Sequence, residues 1–152
     1  MTPRRIRVAI VIEKIGYVRN MIAQLRNLPI ESFEEFVSDK RNPLAAESCL
    51  RRALEGVLDI GRHILAKGFG EGTLEYKQVV RRLSYHKVLS LELGDRLTEM
   101  AGYRNRLVHF YDEVTNEELY TICTERVSEI EAVIDEILAW LRSHPKMLDK
   151  EL

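Results

Sequence analysis

The sequence predicts an all-α fold: an up-and-down antiparallel bundle of four to five helices in a single domain. Three observations lead there. Apolar residues recur at three- and four-residue steps over long stretches, helix start and stop signals bracket those stretches, and no segment alternates apolar and polar residues between hairpin turns. The 152 residues, 45% hydrophobic and 31% charged, suit one domain (1–152, core 4–142) with a core of ordinary size.

Val8, Val11, Ile12, Ile15, Val18, Ile22 and Leu25 form the first stripe, a long amphipathic helix ending near Asn27-Leu28-Pro29. A short helix is expected from Ser32 to Asp39. Asn42-Pro43 reads as an N-cap followed by proline in the first helical position, leading into Leu50, Ala53, Leu54, Val57, Ile60, Gly61, Ile64 and Leu65 and a stop at Gly68. Tyr76 to Tyr85 and Leu91 to Ala101 give two shorter helices, the second capped by Ser90. Thr115 with Glu118 makes a capping box, and Leu119, Ile122, Cys123, Arg126, Ile130, Val133, Ile134, Ile137, Leu138 and Leu141 carry one helix to His144-Pro145.

Gly68-Phe69-Gly70-Glu71-Gly72 is the one glycine-rich stretch. A phosphate-cradling loop needs a preceding strand and a different spacing, so a helix C-cap with a flexible connection explains these glycines. Cys49 and Cys123 lack metal or redox spacing and lie in helical patterns, which points to free thiols in a reducing compartment. No apolar run approaches the roughly 20 residues of a membrane helix. The expected location is the cytoplasm, with no membrane partner. Net charge is -1, yet positions 1–27 carry six basic residues against Glu13 alone, while 112–152 hold eleven acidic and four basic ones. Nucleic acid would meet the first end and avoid the last.

Reactive side chains crowd into Ala101-Gly102-Tyr103-Arg104-Asn105-Arg106-Leu107-Val108-His109-Phe110-Tyr111. An arginine fork grips phosphate oxygens with two parallel hydrogen bonds and keeps its charge, and an imidazole with a pKa of about 6.5 moves protons near neutrality. Together they suit cleavage of a phosphodiester whose nucleophile is the neighbouring 2′-hydroxyl of RNA. On an ideal helix Arg104 and His109 stand about 140° apart, while Asn105, His109 and Asp112 share one face and Arg104 and Tyr111 the next. Either Gly102 lets the chain bend, or a twofold dimer sets the segment against its copy and unites two arginines with two histidines. The dimer is the favoured expectation.

The pattern Arg104-x4-His109-x-Tyr111, with Gly102, Asn105 and the Leu107-Val108 pair, resembles the signature of HEPN-domain proteins of the HepT toxin type. The order of helices up to Leu141 is similar as well. The resemblance implies a metal-independent endoribonuclease toxin acting on mRNA or tRNA as a homodimer, with Arg104 and His109 catalytic and Asn105 in support. It also implies an MntA-type nucleotidyltransferase antitoxin that uses ATP to adenylylate Tyr111, this chain itself holding no cofactor and no metal. Phosphates on Tyr111 would put negative charge where substrate phosphate should bind.

His63, His86 and His144 have no partner at ligand spacing and read as structural, and Arg51-Arg52 and Arg81-Arg82 as solvated pairs. A competing function is a non-catalytic HEPN subunit that binds a nucleotide or a nucleotidyltransferase. A plain helical scaffold is the third.

Overall fold

The structure is a computed structural model that describes residues 5–72, 74–109 and 114–152. Among them the apolar stripes become seven α-helices: α1 (Val8–Arg26), α2 (Phe33–Val37), α3 (Arg41–Phe69), α4 (Tyr76–Tyr85), α5 (Leu91–Val108), α6 (Asn116–Glu125) and α7 (Val127–Ser143). A 3-10 turn (Pro145–Met147) follows, and the only β feature among the described residues is a parallel bridge between Ile6 and Leu148. The expected all-helical bundle is present. The short α2 and a break in the last long helix raise the number of helices above the expected four to five.

α3, 29 residues long, is the central strut, packed by α1 along its length and by α4, α5, α6 and α7. Leu50, Leu54, Leu58, Ile60, Ile64 and Leu65 along it are fully buried. Each such side chain contributes about 1.5–3 kcal/mol as an upper figure. Of the α1 stripe, Val8, Val11, Ile15, Val18, Ile22 and Leu25 are buried, but Ile12 is 49% exposed and lies outside the core.

Four boundaries differ from expectation, each for a local reason. α3 starts at Arg41 because the Asp39 carboxylate accepts the Arg41 backbone N–H at 2.9 Å. Asn42 and Pro43 therefore sit inside the first turn, where proline's missing donor costs nothing. At its other end α3 runs to Phe69, and Gly70 closes it in the left-handed conformation (φ 69°) that glycine adopts without strain. α5, capped by Ser90, continues past Ala101 to Val108 and passes through Gly102 without a break. The last expected helix splits at Arg126 into α6 and α7. An unbroken helix would turn Arg126 into the apolar face. The break puts Val127 there and leaves Arg126 paired with Glu99 at 2.9 Å and Glu129 at 3.0 Å.

Gly61 sets the distance between α3 and α4. A Cβ on it would lie 2.6 Å from Leu83 Cδ1 and 3.0 Å from Val79 Cγ1, so any larger residue would push these side chains of α4 aside. That approach carries the start of α4, Tyr76, to the flank of α3.

The two ends of the chain are joined. The Ile6 N–H donates to Met147 O at 2.8 Å, and the Asp149 N–H donates to Ile6 O at 2.9 Å. α1 has no cap of its own and no acidic residue in its first turn. Its free donors are met from afar: the Val8 N–H donates to Asp149 Oδ1 at 3.0 Å and the Arg7 N–H to His63 Nε2 at 3.1 Å. The segment beyond residue 142 is thus part of the fold. Cys49 and Cys123 are free thiols, Cys123 buried and its pKa pushed up to about 12 by desolvation. Among the described residues no helix is long and apolar enough to cross a membrane.

Asp149→Ala should therefore destabilise the protein by about 0.5–2 kcal/mol, the usual value of an N-cap, in urea unfolding. Burial first, and then the charges of Lys67, Lys14 and Arg7, hold the His63 pKa below 6.5, against a weaker opposing effect of Asp149. The unfolded chain then binds the proton more readily than the folded one. Stability from this contact is complete above pH 6.5 and declines as pH falls from there towards the depressed folded value. His63→Gln should flatten that part of the stability–pH curve, and an unchanged curve would disprove the role given to His63.

Candidate active site

Arg104, Asn105 and His109 line one cavity of about 620 Å³, together with Arg62, Glu75, Tyr76 and Lys77. The helical angle does not separate Arg104 from His109, because His109 is no longer helical. Its N–H keeps the last helical bond to Asn105 O at 3.1 Å, but its φ of -100° and ψ of 122° are extended, and the chain leaves α5 there. Neither a bend at Gly102 nor a second copy is needed to bring the two residues to the same cavity. Phe110 and Tyr111 lie outside the described residues.

Arg104 is fixed from three sides. Its Nε donates to Glu55 Oε1 at 3.3 Å, one terminal nitrogen donates to Asn105 Oδ1 at 3.3 Å, and its guanidinium carbon lies 4.9 Å from the centroid of the Tyr76 ring. Glu55 is itself held by Arg51 at 3.1 Å. The second terminal nitrogen of Arg104 makes no bond to any described residue, which leaves donors for an anion in the cavity. The Asn105 side-chain oxygen is thus a direct partner of the Arg104 guanidinium. Arg106, two residues on and roughly 200° around the helix, points elsewhere and pairs with Glu118 at the start of α6. The two arginines of the segment therefore have separate surroundings.

Tyr76 and Arg62 form the opposite wall. The Tyr76 hydroxyl donates to Asp59 Oδ1 at 2.9 Å, and the Arg62 guanidinium carbon is 4.6 Å from the Tyr76 centroid. Burial first, then the bond to Asp59 and its charge, push the Tyr76 pKa up to about 12. Arg62 donates to Asp59 at 3.3 Å and to Leu74 O at 3.0 Å, while its Nε is buried with no partner among the described residues.

Sequence reasoning missed this wall. Arg62, Tyr76 and Lys77 belong to no local motif, although Glu55, Asp59 and Arg62 at positions i, i+4 and i+7 mark a polar line on a helix otherwise rich in apolar residues. The three histidines outside the segment are structural. His63 accepts the Arg7 N–H, His86 stacks on Phe69 at 3.7 Å and pairs with Glu71, and His144 stacks on Trp140 at 4.4 Å. Arg51 and Arg82 are in ion pairs and Arg52 donates to Ser48. Among the described residues no three His, Cys, Asp or Glu side chains gather as a metal-holding group.

Residues 12–137 match the family described as Ribonuclease HepT-like. The tRNA nuclease HepT of Aphanizomenon flos-aquae (strain 2012/KM1/D3) is 24% identical over 131 residues, which span 86% of each chain. The tri-AMPylated HEPN toxin of Shewanella oneidensis, solved in complex with an MNT antitoxin, has a similar fold (TM-score 0.78, 24% identity, 86% of this chain and 97% of that one). So does YutE, a cytosolic protein of unknown function from Bacillus subtilis (TM-score 0.75, 19% identity, 90% and 91%).

With its hydroxyl bonded to Asp59, Tyr76 should stay protonated at about pH 10, where ordinary tyrosines ionise. Phenolate absorbance of wild type and Tyr76→Phe should coincide there. Asp59→Asn should bring the Tyr76 ionisation part of the way back, burial keeping it above the ordinary tyrosine range. A phenolate at ordinary pH that disappears in Tyr76→Phe would refute this arrangement.

Proposed function

The chain belongs to the HepT-like ribonuclease family, and from that premise we propose that it is a cytoplasmic endoribonuclease toxin, with Arg104 and His109 as its catalytic residues and Asn105 supporting Arg104. One observation carries the reading: a guanidinium with unused donors and the His109 side chain line the same cavity. RNA is favoured over DNA because the route uses the 2′-hydroxyl as nucleophile. The naming of the Aphanizomenon relative as a tRNA nuclease supports tRNA within that class.

The neutral His109 imidazole takes the 2′-hydroxyl proton as the oxygen attacks the adjacent phosphorus. Arg104 binds the non-bridging oxygens and stabilises the charge that gathers on them. The bond to the 5′-oxygen breaks, and that oxygen takes a proton from an imidazolium. The ends left are a 2′,3′-cyclic phosphate and a 5′-hydroxyl. A homodimer that faces its two segments would let one His109 act as base and the other as acid. This route needs no metal and no cofactor held by this chain.

The proposed regulator is an MntA-type nucleotidyltransferase that uses ATP to adenylylate Tyr111. The tri-AMPylated Shewanella toxin with its bound MNT antitoxin supports this, as does the position of Tyr111 two residues beyond His109. Adenylyl phosphates there would bring negative charge towards the cavity and repel RNA.

Unmodified protein should cleave total RNA in EDTA. Arg104→Ala should lower kcat by about 10²–10³, as loss of a charge-stabilising donor does, and His109→Ala by about 10²–10⁴. Equal cleavage by all three would remove the nuclease reading. Co-expression with the nucleotidyltransferase should add adenylyl masses to wild type and none to Tyr111→Phe, and modified wild type should be inactive. A stable complex that carries no modification would instead mark this chain as a binding subunit.

A further inference from the structure

The cavity holds more positive charge than cleavage of one phosphate requires. Arg104 accounts for the scissile group. Arg62 and Lys77 line the same space, come from α3 and α4, and take no part in the proton transfers or the charge stabilisation described above.

Arg62 has more donors than its neighbours use. A guanidinium carries five N–H groups. One goes to Asp59 and one to Leu74 O, while Nε is buried with no acceptor among the described residues. The second N–H of each terminal nitrogen is left over, on a guanidinium that is partly exposed, and can donate to a ligand oxygen arriving in the cavity. Lys77 is exposed and forms no ion pair with any described residue. The acidic groups near the cavity are largely committed. Asp59 accepts from Arg62 and Tyr76, Glu55 from Arg51 and Arg104, and only Glu75 shares the lining.

Tyr76 organises the arrangement. Its ring has Arg62 at 4.6 Å and Arg104 at 4.9 Å, so one aromatic side chain sets both guanidinium groups in place by cation–π contact. The anchored hydroxyl keeps the ring from turning away.

We propose that Arg62 and Lys77, positioned with Arg104 around Tyr76, form a second phosphate subsite that holds the phosphate next to the scissile one on the same RNA strand. The cavity is then a two-phosphate groove. Its substrate is a continuous strand rather than an isolated phosphodiester, and its grip depends on salt. The inference rests on the nuclease reading for which phosphate is cut, but the binding it asserts can be measured without cleavage.

The test uses full-length protein carrying His109→Ala, confirmed unmodified by intact mass, and a short fluorescein-labelled single-stranded RNA followed by anisotropy over a range of salt. Adding Arg62→Ala or Lys77→Ala should weaken binding about tenfold, as loss of a charged hydrogen bond does. Each should also reduce the slope of log K against log salt by about 0.7. Arg62→Lys should recover most of the slope. Arg81→Ala removes an exposed charge of the same helix α4 outside the cavity and should leave both quantities unchanged. In the otherwise native sequence, Arg62→Ala and Lys77→Ala should raise KM while kcat stays close to wild type, the opposite of Arg104→Ala.

Binding that does not respond to Arg62→Ala and Lys77→Ala, or that responds equally to Arg81→Ala, overturns the subsite. Absence of RNA binding overturns it too. If Arg62→Ala fails to fold, Lys77→Ala decides, because that side chain is exposed and has no bonded partner. RNA binding with the predicted slopes but no cleavage by native protein would retire the nuclease reading and leave the subsite standing.

Discussion

Everything at the site depends on one line of charge along the central helix. α3 is the central strut of the bundle, yet Arg51, Glu55, Asp59 and Arg62 follow one another along its length at helical spacing. These side chains are partly buried, and a partly buried charge calls for a hydrogen-bonding partner. The chain meets that demand from two neighbours. Arg104 of α5 completes Glu55, and Tyr76 of α4 completes Asp59 while lying against Arg62. Electrostatic compensation inside the fold thus delivers the groups that line the cavity, and the cation donors it leaves unspent face outward.

Much of the fold was legible because helices announce themselves locally. α4 has the expected bounds, and Ser90 and Thr115 cap the helices they were expected to cap, accepting from Leu93 N at 3.2 Å and Glu118 N at 3.1 Å. The departures came where a tertiary demand outranked a local signal. Arg126 sits in register with an apolar stripe and forces a break because it cannot enter the core unpaired. Ile12 fits the stripe of α1 by spacing but faces away from α3, since one helix face can be covered only as far as its neighbours reach.

The site was half legible. Arg104, Asn105 and His109 are close in sequence and chemically dense, so a short window finds them. Their convergence could not be derived from helical angles, because the angle applies only while both residues are helical, and α5 stops at Val108. Arg62, Tyr76 and Lys77 reach the cavity through the approach of α4 to α3 at Gly61, a contact between residues about twenty apart that no local pattern encodes. The acidic character of the stretch after residue 112 was legible too, and Glu118 there pairs with Arg106, which is not part of the cavity lining.

The closure of the chain ends has a dynamic consequence. The first amides of a helix normally exchange with solvent early, since nothing inside the helix holds them. Here the Arg7 and Val8 amides are bonded to side chains 56 and 141 residues away. Deuterium uptake at Val8 is governed by separation of the chain's beginning from its end and uptake at Arg7 by its contact with α3, so a fraying signal at Val8 reports the integrity of the last residues as much as that of the helix itself.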